Sequence, residues 1–301
     1  MILTDRPGLC REYVLLALTT LSFDASIDEI FGPLSVGGRL VLVSREVVGD
    51  GHRLRAMLEE SGITVMSSTP ATWRMLLNAG WQGDKSLRVW TGGEALPLDL
   101  AKELVVRCGE VWNLYGPTET TVTATGWRVP ADLEQIRIGT PFGNTRVYAL
   151  DSRMQQVPLG VPGELYVGGS GVARGYRNRP ELTAERFVAD PFSGKPDARL
   201  YQTGDGVRFR ADGTLEFMGR LDDQVKVRGF RIELGEIEAR LRENEDVGEA
   251  AVAVHGEGID ARLVAFIVFG EGSRFDLGGM RRYLRRSLPD YMVPSLLVEL
   301  D

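Results

Sequence analysis

The segment NLYGPTETT, residues 113 to 121, sets an amide, an aromatic ring, a glycine-proline turn and one carboxylate within nine positions. An aromatic face beside an acid suits a purine base stacked on the ring and a metal-bound phosphate at the carboxylate. Two further stretches carry acids in suggestive places. YQTGDG (201–206) puts Asp205 after a glycine turn, where a carboxylate can accept from a ribose diol or simply cap the turn. In LSFDASIDEIFGPL (21–34), Asp24 and Asp28 lie one helical turn apart, and Asp24 by itself reads equally well as a helix cap. GELYVGGSGVARGY (163–176) looks at first like a phosphate-binding loop. It has no Lys-Ser/Thr pair, and Gly169, Gly171 and Gly175 miss the dinucleotide spacing, so it is expected to make turns between strands. His52 and His255 have no cysteine or acid at ligand spacing, so neither a metal site nor a Ser-His-Asp arrangement is expected, and both are placed at the surface.

These residues need elements to hold them. RLVLVS (39–44), ITVMSS (63–68), LRVWTGG (87–93) and EVWNLYG (110–116) are apolar runs of strand length that end in small or polar residues. Between them lie helical patterns: Leu54, Met57 and Leu58 before Gly62, a helix capped by Thr69 and opened by Pro70, and another opened by Pro97 with Leu100 and Leu104. Strands alternating with helices predict a parallel sheet whose ligands sit at the carboxyl ends of the strands. That rim would present Ser67, Trp90 to Gly93 and Asn113 to Gly116. After about residue 130 the period becomes two. VRFRADGTLEFMGR predicts a hairpin with Val207 and Phe209 on one arm, Leu215 and Phe217 on the other, and Asp212-Gly213 at the turn. From Asp222 onward, LGEIEARLREN and MRRYLRRSL read as helices and AAVAV and RLVAFIVFG as strands, a small α+β module.

Bulk properties narrow the function classes. A net charge of -7 disfavours a broad nucleic-acid surface, and no run reaches the roughly 18 to 20 apolar residues of a membrane span. Two cysteines, Cys10 and Cys108, supply no disulfide framework, which fits a reducing, cytoplasmic setting.

Taken in order, LSFDASIDEIFGPL, NLYGPTE, GELYVGGSGVARGY, YQTGDG, GRLDDQVKVRGFRIELGEIE (219–238) and LPDYMVP (288–294) resemble the serial motifs of the adenylate-forming superfamily. The resemblance is specifically to the amino-acid adenylation domains of nonribosomal peptide synthetases, and it spans residues 21 to 294. It implies a partial adenylate-forming fold: a piece of the α/β large subdomain, with a parallel sheet and helices and then a β-rich section, over 1–221. A small α+β subdomain over 222–301 follows, with the hinge at Asp222. It implies ATP and Mg²⁺ as cofactors. Asn113 and Tyr115 would hydrogen-bond and stack on adenine, with Gly93, Gly116 and Thr118 around the nucleotide. Glu119 would help hold Mg²⁺, Asp205 the ribose hydroxyls, and Arg220 would lie near ribose and phosphate. Phe217 stands where tyrosine is frequent, which keeps a ring and loses a phenolic hydrogen bond.

The implied amino-acid pocket is Asp24, Ala25, Asp28, Ser67, Trp90, Gly92, Leu114, Val122 and Thr123. Asp24 would pair with the α-ammonium, and Asp28 with a cationic or hydrogen-bond-donating side chain for which Trp90 offers a flat face. The implied reaction joins an amino acid to AMP and passes it to the phosphopantetheine thiol of a peptidyl carrier protein; an MbtH-like helper protein is a further implied partner. Along MRRYLRRSL, Arg281 and Arg285, and Arg282 and Arg286, repel at i,i+4, and the acidic surface of the carrier is the expected counterpart. Family members carry a Gly/Ser/Thr-rich loop with a lysine well upstream and an Asn-Gly-Lys segment after LPDYMVP. Neither stretch occurs in these 301 residues, so the chain is expected to be an internal piece of such a domain. The alternatives are an acyl- or aryl-acid ligase of the same superfamily, whose substrates lack the ammonium, and a non-catalytic remnant.

Overall fold

The computed structural model describes residues 6–222, 224–227, 229–256, 261–270 and 277–300. The chain folds as two compact units, 1–221 and 222–301. In the first unit, strands β1 (Val14–Ala17), β2 (Arg39–Leu42), β3 (Val65–Ser68), β4 (Arg88–Gly92), β5 (Glu110–Tyr115), β6 (Thr125–Arg128) and β7 (Thr140–Pro141) form one sheet in the order β2-β1-β3-β4-β5-β6-β7. β1 to β5 are parallel; the rhythm predicts this for β2 to β5 and does not include β1. β6 and β7 add antiparallel, so the sheet is mixed.

Helices α1 (Ala25–Ser35), α2 (Arg45–Val48), α3 (Gly51–Glu60), α4 (Pro70–Asn78) and α5 (Leu98–Arg107) connect the parallel strands. Successive strand residues point to opposite faces. Leu16, Met66, Val89 and Val111 therefore meet Leu54, Trp73 and Leu104 in one core, while Leu15, Val65, Trp90 and Trp112 form another. Burial on both faces is why these strands read as continuous apolar runs. Thr69 caps α4 with its side chain, accepting from the amide of Thr72, and Pro70 opens the helix. α1 turns Ser26 and Glu29 inward and leaves Ile27, Phe31 and Leu34 exposed.

A second sheet of the same unit contains β8 (Thr145–Leu150), β9 (Gly163–Gly169), β10 (Phe187–Ala189), β11 (Arg199–Phe209) and β12 (Leu215–Arg220), with α6 (Pro180–Arg186) before β10. The predicted hairpin is β11–β12, with Val207 opposite Phe217 and Phe209 opposite Leu215. Thr214 donates to Asp212 through its amide at 3.1 Å and its hydroxyl at 2.6 Å, which fastens the turn.

The second unit pairs β13 (Gln224–Val227) with β14 (Phe230–Glu233) and builds a sheet from β15 (Val247–His255), β16 (Arg262–Phe269) and β17 (Leu296–Leu300). α7 (Leu234–Arg242) and α8 (Leu277–Ser287) supply Ile237, Leu241, Met280 and Leu284 to its core, with Ala265 and Ile267 from β16. His52 and His255 are exposed, and both cysteines are free thiols. Among the described residues no helix is long and apolar enough to cross a membrane.

Candidate functional site

The carboxyl ends of β1, β3, β4 and β5 face one rim because the strands are parallel. Asp24 and Ala25 begin the helix after β1, Ser67 lies near the end of β3, Trp90 and Gly92 end β4, and Asn113 to Tyr115 end β5. Register sets Ser67 beside Trp90 and Gly92 beside Leu114. A Cβ on Gly92 would stand 2.6 Å from the Leu114 carbonyl oxygen, so only glycine lets the two strand ends come this close. Gly93 follows at the exposed tip with φ 78°.

Beyond β5 the chain turns sharply. A Cβ on Gly116 would lie 2.3 Å from the carbonyl oxygen of Val122, so the glycine admits the returning strand. Between them Thr118–Thr120 form one turn of 3-10 helix, and Thr121 and Val122 follow at φ 65° and 63°. Positive φ is costly for a β-branched residue. The turn is held by the glycine-rich segment after β9. Thr121 Oγ1 donates to the Gly171 carbonyl at 2.7 Å, the Ala173 amide donates to the Glu119 carbonyl at 2.8 Å, and the Tyr176 hydroxyl donates to Glu119 Oε1 at 2.6 Å. Burial raises the Tyr176 phenol, and its bond to the Glu119 carboxylate raises it further. The segment that resembles a phosphate loop thus braces Glu119. Thr118 is exposed and Thr123 is buried.

Tyr115, Asp205 and Arg220 form one network joining the two sheets. The Tyr115 hydroxyl donates to Asp205 Oδ2, and Arg220 Nη1 donates to Asp205 Oδ1 at 3.0 Å. Asp205 is only 3% exposed. β11 and β12 set Asp205 opposite Arg220, beside a bulge at Gly206. Burial pushes the Tyr115 phenol well above its ordinary range, and the Asp205 charge adds to it.

Two expectations need correction. Tyr115 is not an open platform: its ring sits in a core with Leu165, Val167 and Leu215, and the residue is 8% exposed. Trp90, at 1%, presents no flat face to a ligand, because its alternate-face neighbours Leu15, Val65 and Trp112 enclose it. Phe217 packs against the same core as Tyr115. Asn113 is buried, and its amide nitrogen donates to the Arg137 carbonyl at 2.7 Å.

Asp24 occupies the first cap position of α1 without making a capping bond. Its Oδ2 is buried with no hydrogen-bond partner among the described residues. One turn on, burial raises the Asp28 carboxyl to about 6, with repulsion from Asp24 and Glu29 adding to it. Glu29 escaped the sequence reading. It is 1% exposed and accepts from the amides of Leu18 and Thr19, at 2.9 and 2.8 Å, and from the Thr19 hydroxyl at 2.7 Å. It thereby ties the end of β1 to α1 and sets where Asp24 stands. Replacing Glu29 by alanine strands two amides, and urea denaturation should show a loss of about 2 kcal/mol. Asp222, at the junction of the units, accepts from the amide of Gln224 at 3.3 Å.

Residues 3–177 match the AMP-binding enzyme family. A dimodular nonribosomal peptide synthase of Bacillus subtilis is 48% identical over 300 residues, which are 98% of this chain and 12% of that protein. The crystal structure of a four-domain nonribosomal peptide synthetase bound to AMP and glycine superimposes with a TM-score of 0.71 at 45% identity, over 100% of this chain and 22% of that one. A synthetase protein containing adenylation and PCP domains gives 0.85 at 28% identity, over 97% of this chain and 51% of that one. The chain therefore spans a small part of its curated relatives, and it belongs to the AMP-binding enzyme family, among the adenylation domains of nonribosomal peptide synthetases.

Proposed function

We propose that the chain serves ATP-dependent activation of an amino acid. The substrate carboxylate oxygen attacks the α-phosphorus of ATP, the bond to the leaving pyrophosphate breaks, and the aminoacyl group then passes from AMP to the phosphopantetheine thiol of a peptidyl carrier protein. The observation that carries the reading is the buried, unpartnered Oδ2 of Asp24 at the rim of the sheet. A buried carboxylate oxygen without a donor is costly, and a substrate α-ammonium supplies that donor with a charge. An acyl acid lacks it, so the same observation disfavours the acyl-acid ligase.

The nucleotide is assigned to the ends of β4 and β5, with the base beside the turn at Gly116 and the ribose at Asp205. Mg²⁺ typically takes one or two carboxylates besides phosphate oxygens, and the single acid of the 113–121 turn fits that need. Glu119 would hold the ion, which neutralises phosphate charge when bound. The chain's own contribution is placement: Tyr176 and the glycine-rich segment fix Glu119, and Glu29 fixes Asp24. Asp222 is assigned as the hinge between the units. A carrier protein partner is supported by the solved relative that contains a PCP domain.

A binding measurement on this chain tests the reading without requiring turnover. Aminoacyl sulfamoyladenosine should bind about 10- to 100-fold more tightly than the analogue lacking the α-amine, as a charged hydrogen bond predicts. Asp24→Asn should remove most of that difference. Equal affinity for the two compounds in the parent chain rejects amino-acid activation.

A further inference from the structure

We propose that the second unit carries a binding site for a phosphate monoester with a flat, aromatic body, in the cleft between α8 and the loop after it. The cleft encloses about 720 Å³, the size of a small-molecule site. Arg281 and Arg285 of α8 line one side, Arg262 at the start of β16 lines another, and Phe230 and Tyr291 contribute aromatic surface. Those two rings stack at 4.1 Å with 12° between their planes, and Tyr291 remains 42% exposed.

The guanidinium groups are underused. Arg281 donates from Nη2 to the Ser295 carbonyl at 2.6 Å, while its Nε is buried with no partner among the described residues. A buried donor without an acceptor calls for one. Among the described residues Arg285 pairs with Asp290 alone, at 3.7 Å, in an exposed pair worth little. Among the described lining residues, three arginines face one aspartate, which leaves two positive charges. A phosphate monoester carries close to two negative charges at neutral pH and accepts forked bonds from guanidinium groups, whereas a single carboxylate leaves one charge unmatched. The i,i+4 repulsion of Arg281 and Arg285 is relieved by such a dianion. An acidic protein surface would instead engage the outward Arg286 on the same helix as readily as the cleft.

The test is titration calorimetry of the full chain at low salt with phenyl phosphate, inorganic phosphate and phenol. Phenyl phosphate should bind, inorganic phosphate about tenfold more weakly for lack of the ring, and phenol not measurably. Arg262→Gln with Arg285→Gln, both exposed positions, should weaken phenyl phosphate at least about tenfold while circular dichroism stays unchanged. Tyr291→Leu should bring phenyl phosphate down to the level of inorganic phosphate, and Arg286→Gln should change nothing. Binding that survives the double substitution lies elsewhere and overturns the proposal. So does the absence of heat with phenyl phosphate at millimolar concentration, or equal weakening by Arg286→Gln, which would point to the helix's general charge and a protein partner.

Discussion

Asp205→Ala is expected to destabilise the first unit by about 3 to 5 kcal/mol, the range for removing one member of a buried ion pair. The carboxylate accepts from both Arg220 and the Tyr115 hydroxyl, and its side chain and that of Arg220 are only 5% and 15% exposed. Alanine takes the acceptor from a largely buried cation and from a phenol in the core. Tyr115→Phe, which keeps the ring and the ion pair, should cost about 1 kcal/mol. Asp205→Leu combined with Arg220→Leu should recover much of the loss, because no charge then remains in the apolar site. Tryptophan fluorescence reads this unit alone, since all five tryptophans precede residue 222. A loss below about 1 kcal/mol in Asp205→Ala would mean that water reaches the pair and screens it.

That network shows where the sequence is legible and where it stops. Local signals were readable: the Thr69-Pro70 helix start, the Asp212-Gly213 turn and the strand ends at Gly92 and Tyr115 each depend on residues within a few positions of one another. The strand Val14–Ala17 was hidden in a longer apolar stretch, and Pro33 inside α1 obscured a helix that continues past it. The antiparallel additions β6 and β7 are short, and their partners are set by the sheet rather than by their own period.

At the site, residue types were legible and their exposure was not. A tyrosine at a strand end serves equally as platform or core. What decides for Tyr115 is Asp205, ninety positions away. Trp90 is enclosed by three other strands, and Glu29 acts on amides ten residues back. Neither relation leaves a mark at fixed local spacing.

Stability should fall as pH rises through the titration of Asp28, and that residue should also set which amino acid is favoured. Its carboxyl is raised from 3.8 to about 6 in the folded protein, by burial first and then by Asp24 and Glu29. The folded state therefore holds a proton that the unfolded chain has released between about pH 4 and 6. The stabilising contribution is full below the unfolded value and lost above the folded one, a difference of about 3 kcal/mol. Glu29 is raised by burial too and slopes the same way, so the comparison must be with Asp28→Asn rather than with a flat line. That variant should gain on the parent as pH increases from 5 to 7.5 in urea denaturation; parallel curves would show that Asp28 is solvated.

A ligand that places a cation beside Asp28 removes the penalty, because it favours the ionised carboxylate. On the proposed reading, pyrophosphate exchange or analogue binding should thus favour ornithine, lysine or arginine, and affinity for them should rise with pH across 6. Asp28→Asn should reduce that preference more than the overall rate. Trp90, enclosed in the core, offers such a stem no flat face, so the discrimination must come from charge at Asp28. A preference for valine, leucine or phenylalanine in the parent chain would show that the protonated carboxyl is the working form and that no cation meets it.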